Sequence, residues 1–170
     1  MTSKANITVL GIDPGLATTG YAFIKDGKKI EVMDYGIIAT SSKEPFAFRL
    51  KFIHQSLNKL IKKHKPDILV SEQLFFCKNV KTALLVGQAR GVILLTAILN
   101  KLPLHEFTPL QVKQSVCGYG KAEKCQIQEM VKILLSLKSI PRPDDAADAL
   151  AIALTYLNSK NFLDKTRPGA

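Results

Sequence analysis

Acidic residues are scarce in this chain. Its 170 residues hold 14 Asp+Glu against 24 Lys+Arg, a formal net charge of +10 at pH 7. That imbalance points to a polyanionic partner, either nucleic acid or an anionic membrane surface. Cysteine is sparse as well. Cys77, Cys117 and Cys125 are odd in number and far apart, and none belongs to a CxxC pair. A disulfide framework and a Cys-rich zinc site are therefore excluded as expectations, and a reducing compartment fits. Long apolar runs are missing. The short apolar run up to Ile12 carries Asp13 at its edge and is followed by no signal-peptide core. Ala83 to Leu99, the longest apolar stretch, is broken by Gln88 and Arg90 and falls short of a membrane span. A soluble, cytoplasmic protein is expected. There is also no Gly/Ser-rich linker and no repeat of fixed period, so a single domain is expected over residues 1–158, with 159–170 as a fraying polar tail.

What is present is ordinary globular material. Hydrophobic residues make up 46% and charged residues 22%. A chain of this length buries about 70% of its unfolded surface and needs no metal or disulfide staple. Ile7–Ile12 is a β-branched run ending in Asp13-Pro14-Gly15, a turn signal. Gly20–Lys25 closes on Asp26-Gly27, a hairpin dipeptide, and Ile30–Ala39 follows. Three strands so close together form an antiparallel meander. The period then becomes helical over Phe46 to Lys63, with Lys62, Lys63 and Lys65 near its end. Ile68–Glu72 is the next strand. Val80 to Leu99 is apolar nearly all round, the pattern of a helix buried on most sides.

Pro103–Phe107 is a short strand. Thr108 caps a helix that has Pro109 at its first position. Gly118-Tyr119-Gly120 interrupts, and helices follow over Lys121–Leu137 and Asp144–Leu157. The order is an α/β fold with a mixed five-stranded sheet. An antiparallel meander is continued by two parallel strands reached through right-handed crossovers, with helices on the flanks.

The acids in apolar surroundings are few. Asp13 ends the first strand and Glu72 the fourth. If those strands are parallel neighbours, both carboxylates leave the same sheet edge, where open α/β sheets bind ligands. Asp145 and Asp148 open the last helix three residues apart, on one face, ahead of a wholly apolar run. Singly, Asp13 also reads as a turn residue, Glu72 as a strand-end acid, and Asp144 or Asp145 as a helix-start acid. Together they form a partly buried cluster that needs a cation. All-oxygen ligands without His or Cys favour Mg²⁺ or Mn²⁺ over zinc. A basic protein with one acidic pocket suggests phosphodiester hydrolysis, with two metal ions serving the attacking water and the leaving oxygen.

These residues resemble a known family. Gly11-Ile12-Asp13-Pro14-Gly15 with Thr19-Gly20-Tyr21 is similar to the opening signature of the RuvC-type Holliday junction resolvases. Ser71-Glu72-Gln73, Phe75, Lys78-Asn79 and Gly87-Gln88-Ala89-Arg90-Gly91 resemble their middle block. Gln111-Val112-Lys113-Gln114, Gly118-Tyr119-Gly120, Ala122-Glu123-Lys124 and Asp145-Ala146-Ala147-Asp148-Ala149-Leu150-Ala151 resemble the later blocks. The resemblance implies an RNase H-like fold and a homodimer. It implies a Mg²⁺-dependent endonuclease that nicks two symmetric strands of a four-way DNA junction in recombination and repair. A branch-migration complex of the RuvA/RuvB kind is the implied partner.

The resemblance makes Asp13, Glu72, Asp145 and Asp148 the metal ligands, Phe75 the junction-contacting aromatic, and Lys113 and Lys124 basic residues near the cleaved strand. Asp144 stands beside the expected ligand, and spacing to Ala146-Ala147-Asp148 favours Asp145, with Asp144 as a capping or outer acid. Lys78, Lys81, Arg90, Tyr119 and Lys121 join Phe75, Lys113 and Lys124 as expected DNA contacts. Aromatics interleaved with cations over Leu74–Lys81 suit opened bases at a branch point.

Two other readings compete. Asp13, Gly15, Thr19 and Gly20 also fit the phosphate hairpin of an actin-like ATPase, although 170 residues are too few for two lobes. A non-catalytic DNA-binding module is the other, and the clustered acids argue against it because they repel DNA in the absence of metal.

Overall fold

The computed structural model describes residues 6–73 and 80–166, with side chains described over 6–73 and 82–160. Strands β1 (Thr8–Asp13), β2 (Thr18–Lys25) and β3 (Glu31–Ala39) form the expected meander. Helix α1 (Phe46–His64) leads to β4 (Ile68–Glu72), and α2 (Val80–Leu99) leads to β5 (Leu104–Phe107). Both later strands run parallel to β1, giving the order β3-β2-β1-β4-β5. Helices α3 (Pro109–Cys117), α4 (Lys124–Leu134) and α5 (Asp144–Thr166) complete the chain.

Alternation along β1 builds two cores. Val9 points with Ala22, Ile24, Ile68 and Val70 toward α3, α4 and α5. Leu10 and Ile12 point with Phe23 and Leu69 toward α1 and α2. The central strands are thus buried on both faces, as strands flanked by crossover helices are. Burial of a Leu or Ile side chain contributes roughly 1.5–3 kcal/mol, so this three-layer sandwich is the main source of stability.

Several expectations need correction. Helix α2 is not buried on most sides. Ala89, Ile93, Thr96 and Ala97 pack inward, but Leu84, Leu95, Ile98 and Leu99 are each more than half exposed. An apolar circumference does not distinguish a core helix from one with a face left for another molecule. The stretch Thr82–Leu99 is also long and apolar enough, by length and composition alone, to cross a membrane, and 22% of it is buried here. It is tied to the domain by the hydrogen bond between His54 Nδ1 of α1 and Thr96 Oγ1 and, just past its end, by one that Asn100 Nδ2 donates to Asn58 Oδ1.

Helix α4 starts at Lys124 rather than Lys121. Glu123 is its N-cap in a reciprocal capping box with Gln126, which fixes the start there. The expected polar tail from Ser159 continues α5 as helix to Thr166. Thr108 and Pro109 start α3 as expected, with Gln111 closing the capping box. Gly118, at φ 82°, is the left-handed cap that ends it.

Candidate active site

Two local features bring the acids together. The first is strand register. Ile12 pairs with Ser71 across the parallel β1–β4 ladder, so Asp13 and Glu72 follow as neighbours where both strands end. The second is the close approach of α5 to the sheet. A Cβ on Gly11 would lie 2.2 Å from the Ala149 carbonyl oxygen, and one on Gly20 would lie 2.0 Å from that of Asp145. Only glycine leaves room for the helix backbone at these two positions. The first turns of α5 therefore sit over β1 and β2, which sets Asp145 and Asp148 beside Asp13.

A pocket of about 210 Å³ is lined by Asp13, Glu72, Asp148, Lys113 and Lys124 over an apolar floor that includes Ile127 and Ile152. Burial, followed by the charges of Asp148, Glu72 and Asp145, pushes the Asp13 carboxyl up to about 7. Glu72 is raised by burial and by Asp148, and Lys113 opposes the shift. Asp148 is raised by burial against the pull of Lys124, whose Nζ lies 3.0 Å from its Oδ2. Burial works against the charge of Lys124, but the bond to Asp148 and the nearby carboxylates leave its ammonium raised overall. These acids share one field and repel one another.

Asp145 adds to the charge on Asp13 and lines a second cleft of about 430 Å³, which also contains Asp13, Gly15, Thr82 and Val86. Asp144 turns outward. Its Oδ1 accepts from Arg142 at 2.6 Å and its Oδ2 lies 3.6 Å from Lys124. The neighbouring Gln128 amide, Lys124 and Arg142 hold its carboxyl below the usual range. Of the two neighbouring acids, Asp145 shares a cleft with Asp13 and Asp144 pairs with Arg142.

The expected DNA contacts fare differently. Lys113 and Lys124 flank the acids, as stated. Lys121 is exposed, and Tyr119, 47% exposed, donates its hydroxyl to Gln126 Oε1 at 2.8 Å. Both belong to the turn between α3 and α4. Arg90 is held by a partner within the fold. Its guanidinium pairs with Glu106 of β5 and is about three-quarters covered, a partner that sequence spacing does not reveal. Phe75 and Lys78 lie outside the described residues, as does the Lys81 side chain. The sequence reading missed Arg49. It enters the second cleft, and its signal was a cation in the first turn of α1, where the helix dipole disfavours positive charge.

The donor chemistry fits divalent cations. Every candidate ligand is a carboxylate oxygen, and three of them are held above the ordinary carboxylate range by burial and by the neighbouring acids. Among the described residues no group of three or more Asp, Glu, His or Cys side chains is placed to hold a metal ion by itself. Mg²⁺ does not require one, because it keeps several waters and takes substrate phosphate oxygens.

Comparison with known proteins agrees with this geometry. The family model described as crossover junction endodeoxyribonuclease RuvC matches residues 9–156. The chain belongs to the RuvC family. The RuvC match contains all four acids, Lys113 and Lys124. The chain is 56% identical over 154 residues to the RuvC crossover junction endodeoxyribonuclease of Halothermothrix orenii, covering 90% of this chain and 93% of that protein. The solved Thermus thermophilus RuvC superposes with a TM-score of 0.85 at 34% identity, covering 92% of this chain and 96% of that one. The same Thermus protein, solved in complex with Holliday junction substrate, gives 0.84 at 31% identity over the same shares. RuvC membership across nearly the whole chain sets aside the actin-like ATPase reading and identifies the fold as RNase H-like.

Proposed function

We propose that this protein is a structure-selective endonuclease that resolves four-way DNA junctions by paired symmetric nicks, using Mg²⁺ or Mn²⁺, two ions per site. The observation that carries the reading is the convergence of Asp13, Glu72 and Asp148 in one pocket between Lys113 and Lys124 on a chain of net charge +10. Asp13, Glu72, Asp145 and Asp148 would hold the ions. At such a site, divalent cations supply charge compensation and polarisation of phosphoryl oxygens.

The chain's own residues do the rest. Lys113 and Lys124 present ammonium groups to the phosphate and to the charge that grows on it during reaction. Lys124 also keeps Asp148 oriented through the 3.0 Å contact. The apolar floor of Ile127 and Ile152 lowers the local polarity and strengthens these interactions. Labelled four-way junction incubated with Mg²⁺ should yield symmetric nicks at paired positions, with linear duplex left intact and EDTA abolishing the cuts. Binding without any nick in Mg²⁺ or Mn²⁺ would leave a non-catalytic DNA-binding module as the correct reading.

Paired nicks on a pseudo-two-fold substrate call for two identical sites, which an isologous dimer provides. We assign the interface to the exposed stripe of α2. Leu84, Leu95 and Ile98 recur there at helical spacing, and Gly91 lies between them with nothing within 4 Å of where its Cβ would be. Among the described residues internal packing gives no reason for that glycine, while the approach of a second helix does. Leu95→Glu should leave circular dichroism unchanged, convert the dimer to monomer in ultracentrifugation at micromolar concentration, and replace paired nicks by single ones. A wild-type chain that sediments as monomer at that concentration would refute the assignment. A branch-migration complex in the cytoplasm completes the proposed setting, supported by the family and by the free thiols of Cys117 and Cys125 among the described residues.

A further inference from the structure

Arg49 is placed unusually. It lies in the first turn of α1, which contains no acidic residue, so its charge opposes the helix dipole. The side chain is half-buried. Its Nε donates to Thr40 Oγ1 at 2.9 Å. That hydroxyl donates in turn to the Leu16 carbonyl oxygen at 2.5 Å, and the Thr40 amide donates to the Ala17 carbonyl at 2.9 Å. Thr19 Oγ1 donates to the Gly15 carbonyl at 2.6 Å. These bonds pin the loop that leaves Asp13 at Pro14.

Only one edge of the guanidinium is used by this chain of bonds. Among the described residues Arg49 has no carboxylate within ion-pair distance. It lines the 430 Å³ cleft shared with Asp13 and Asp145. Asp13 therefore stands between two cavities, one with Lys113 and Lys124 and the other with Arg49. A polyanionic strand that places one phosphate on the lysine side must carry its neighbouring phosphate past the other side of Asp13. The guanidinium fork suits that phosphate, since it can hold Thr40 with one edge and phosphate oxygens with the other.

From this arrangement we infer that Arg49 binds the backbone phosphate adjacent to the scissile one and, through Thr40, positions the Asp13 loop. The inference rests on the nuclease reading for the word scissile, but its test reads binding. Junction affinity is measured against salt in EDTA for wild type, Arg49→Gln and Arg49→Lys. Neutral methylphosphonate linkages are scanned one at a time past the crossover. Arg49→Gln should lower the log–log salt slope by about one. One methylphosphonate position should weaken wild type about tenfold and leave Arg49→Gln unaffected, the coupling expected when both changes remove the same contact. Arg49→Lys should keep the salt slope while slowing single-turnover cleavage in Mg²⁺, because one ammonium cannot hold both Thr40 and the phosphate.

Equal methylphosphonate responses in wild type and Arg49→Gln would overturn the inference, as would an unchanged slope. Because affinity is read without cleavage, a chain that never nicks DNA would defeat the nuclease reading while the salt slope and scan still decide Arg49. Melting temperatures recorded alongside separate a folding defect from a lost contact.

Discussion

Asp13→Asn should reduce junction cleavage by about 10³-fold or more while junction affinity is retained or rises. The variant keeps size and shape but removes the charge nearest the centre of the acidic group. DNA is polyanionic, so losing a carboxylate facing it lowers repulsion even as the site loses the ligand the other acids surround. The same substitution has a stability signature independent of catalysis. The Asp13 carboxyl is pushed up to about 7 in the folded chain, from an ordinary 3.8. The folded state therefore binds a proton more tightly than the unfolded state, and wild-type stability falls as pH rises from about 4 to 7.

The integrated effect is on the order of 4 kcal/mol, shared with Asp148 and Glu72, which repel it. Without metal, wild type and Asp13→Asn should melt close together at pH 4. At pH 8 the variant should melt higher, by a margin on the order of 10 °C. Thermal melts in EDTA across this range check it. Parallel curves for the two proteins would mean that Asp13 is not held in a repulsive, desolvated site.

Gly11→Ala should cost about 3 kcal/mol or more and cripple cleavage with it. The new methyl would sit 2.2 Å from the Ala149 carbonyl oxygen and 2.8 Å from the Ala153 Cβ. Neither neighbour is the far end of a flexible side chain, so α5 itself must move off β1. That helix carries Asp145 and Asp148, and its displacement separates them from Asp13. Gly20→Ala should act the same way through the Asp145 carbonyl, at 2.0 Å. Melting temperature and cleavage rate should fall together in both variants. A stable Gly11→Ala protein of normal activity would show that α5 tolerates the shift and that the acids do not depend on this packing.

Much of this site was legible in the sequence, and the reasons are specific. Asp13 and Glu72 each follow a run of buried strand residues. The crossover rule makes those strands parallel, and the register that sets them side by side meets the condition under which their carboxylates share an edge. Asp148 was legible because the residues after it are apolar on every side of a helix, which forces its turn against protein. The ligand set itself came from the family resemblance, with Asp145 preferred to Asp144 on its spacing to Asp148.

The misses have equally physical causes. Composition could not tell that α2 buries one face and leaves Leu84, Leu95 and Ile98 open, because core and interface helices are equally apolar. Arg90 belongs to the Gly87-Gln88-Ala89-Arg90-Gly91 block, but its partner Glu106 comes from a different element and is set by tertiary packing alone. The start of α4 depended on the Glu123–Gln126 box, which local helical periodicity overran by three residues. Arg49 stayed unnoticed because a single cation in a first turn is a weak signal until the loop it holds is seen to leave Asp13.

The most direct measurement is anomalous scattering from crystals soaked in Mn²⁺. Wild-type crystals should show cation density bounded by the carboxylates of Asp13, Glu72 and Asp148, and Asp13→Asn crystals should lose it. Density confined to another part of the surface, or wild-type crystals bare at this pocket in saturating Mn²⁺, would contradict the claim that these acids converge to hold divalent cations.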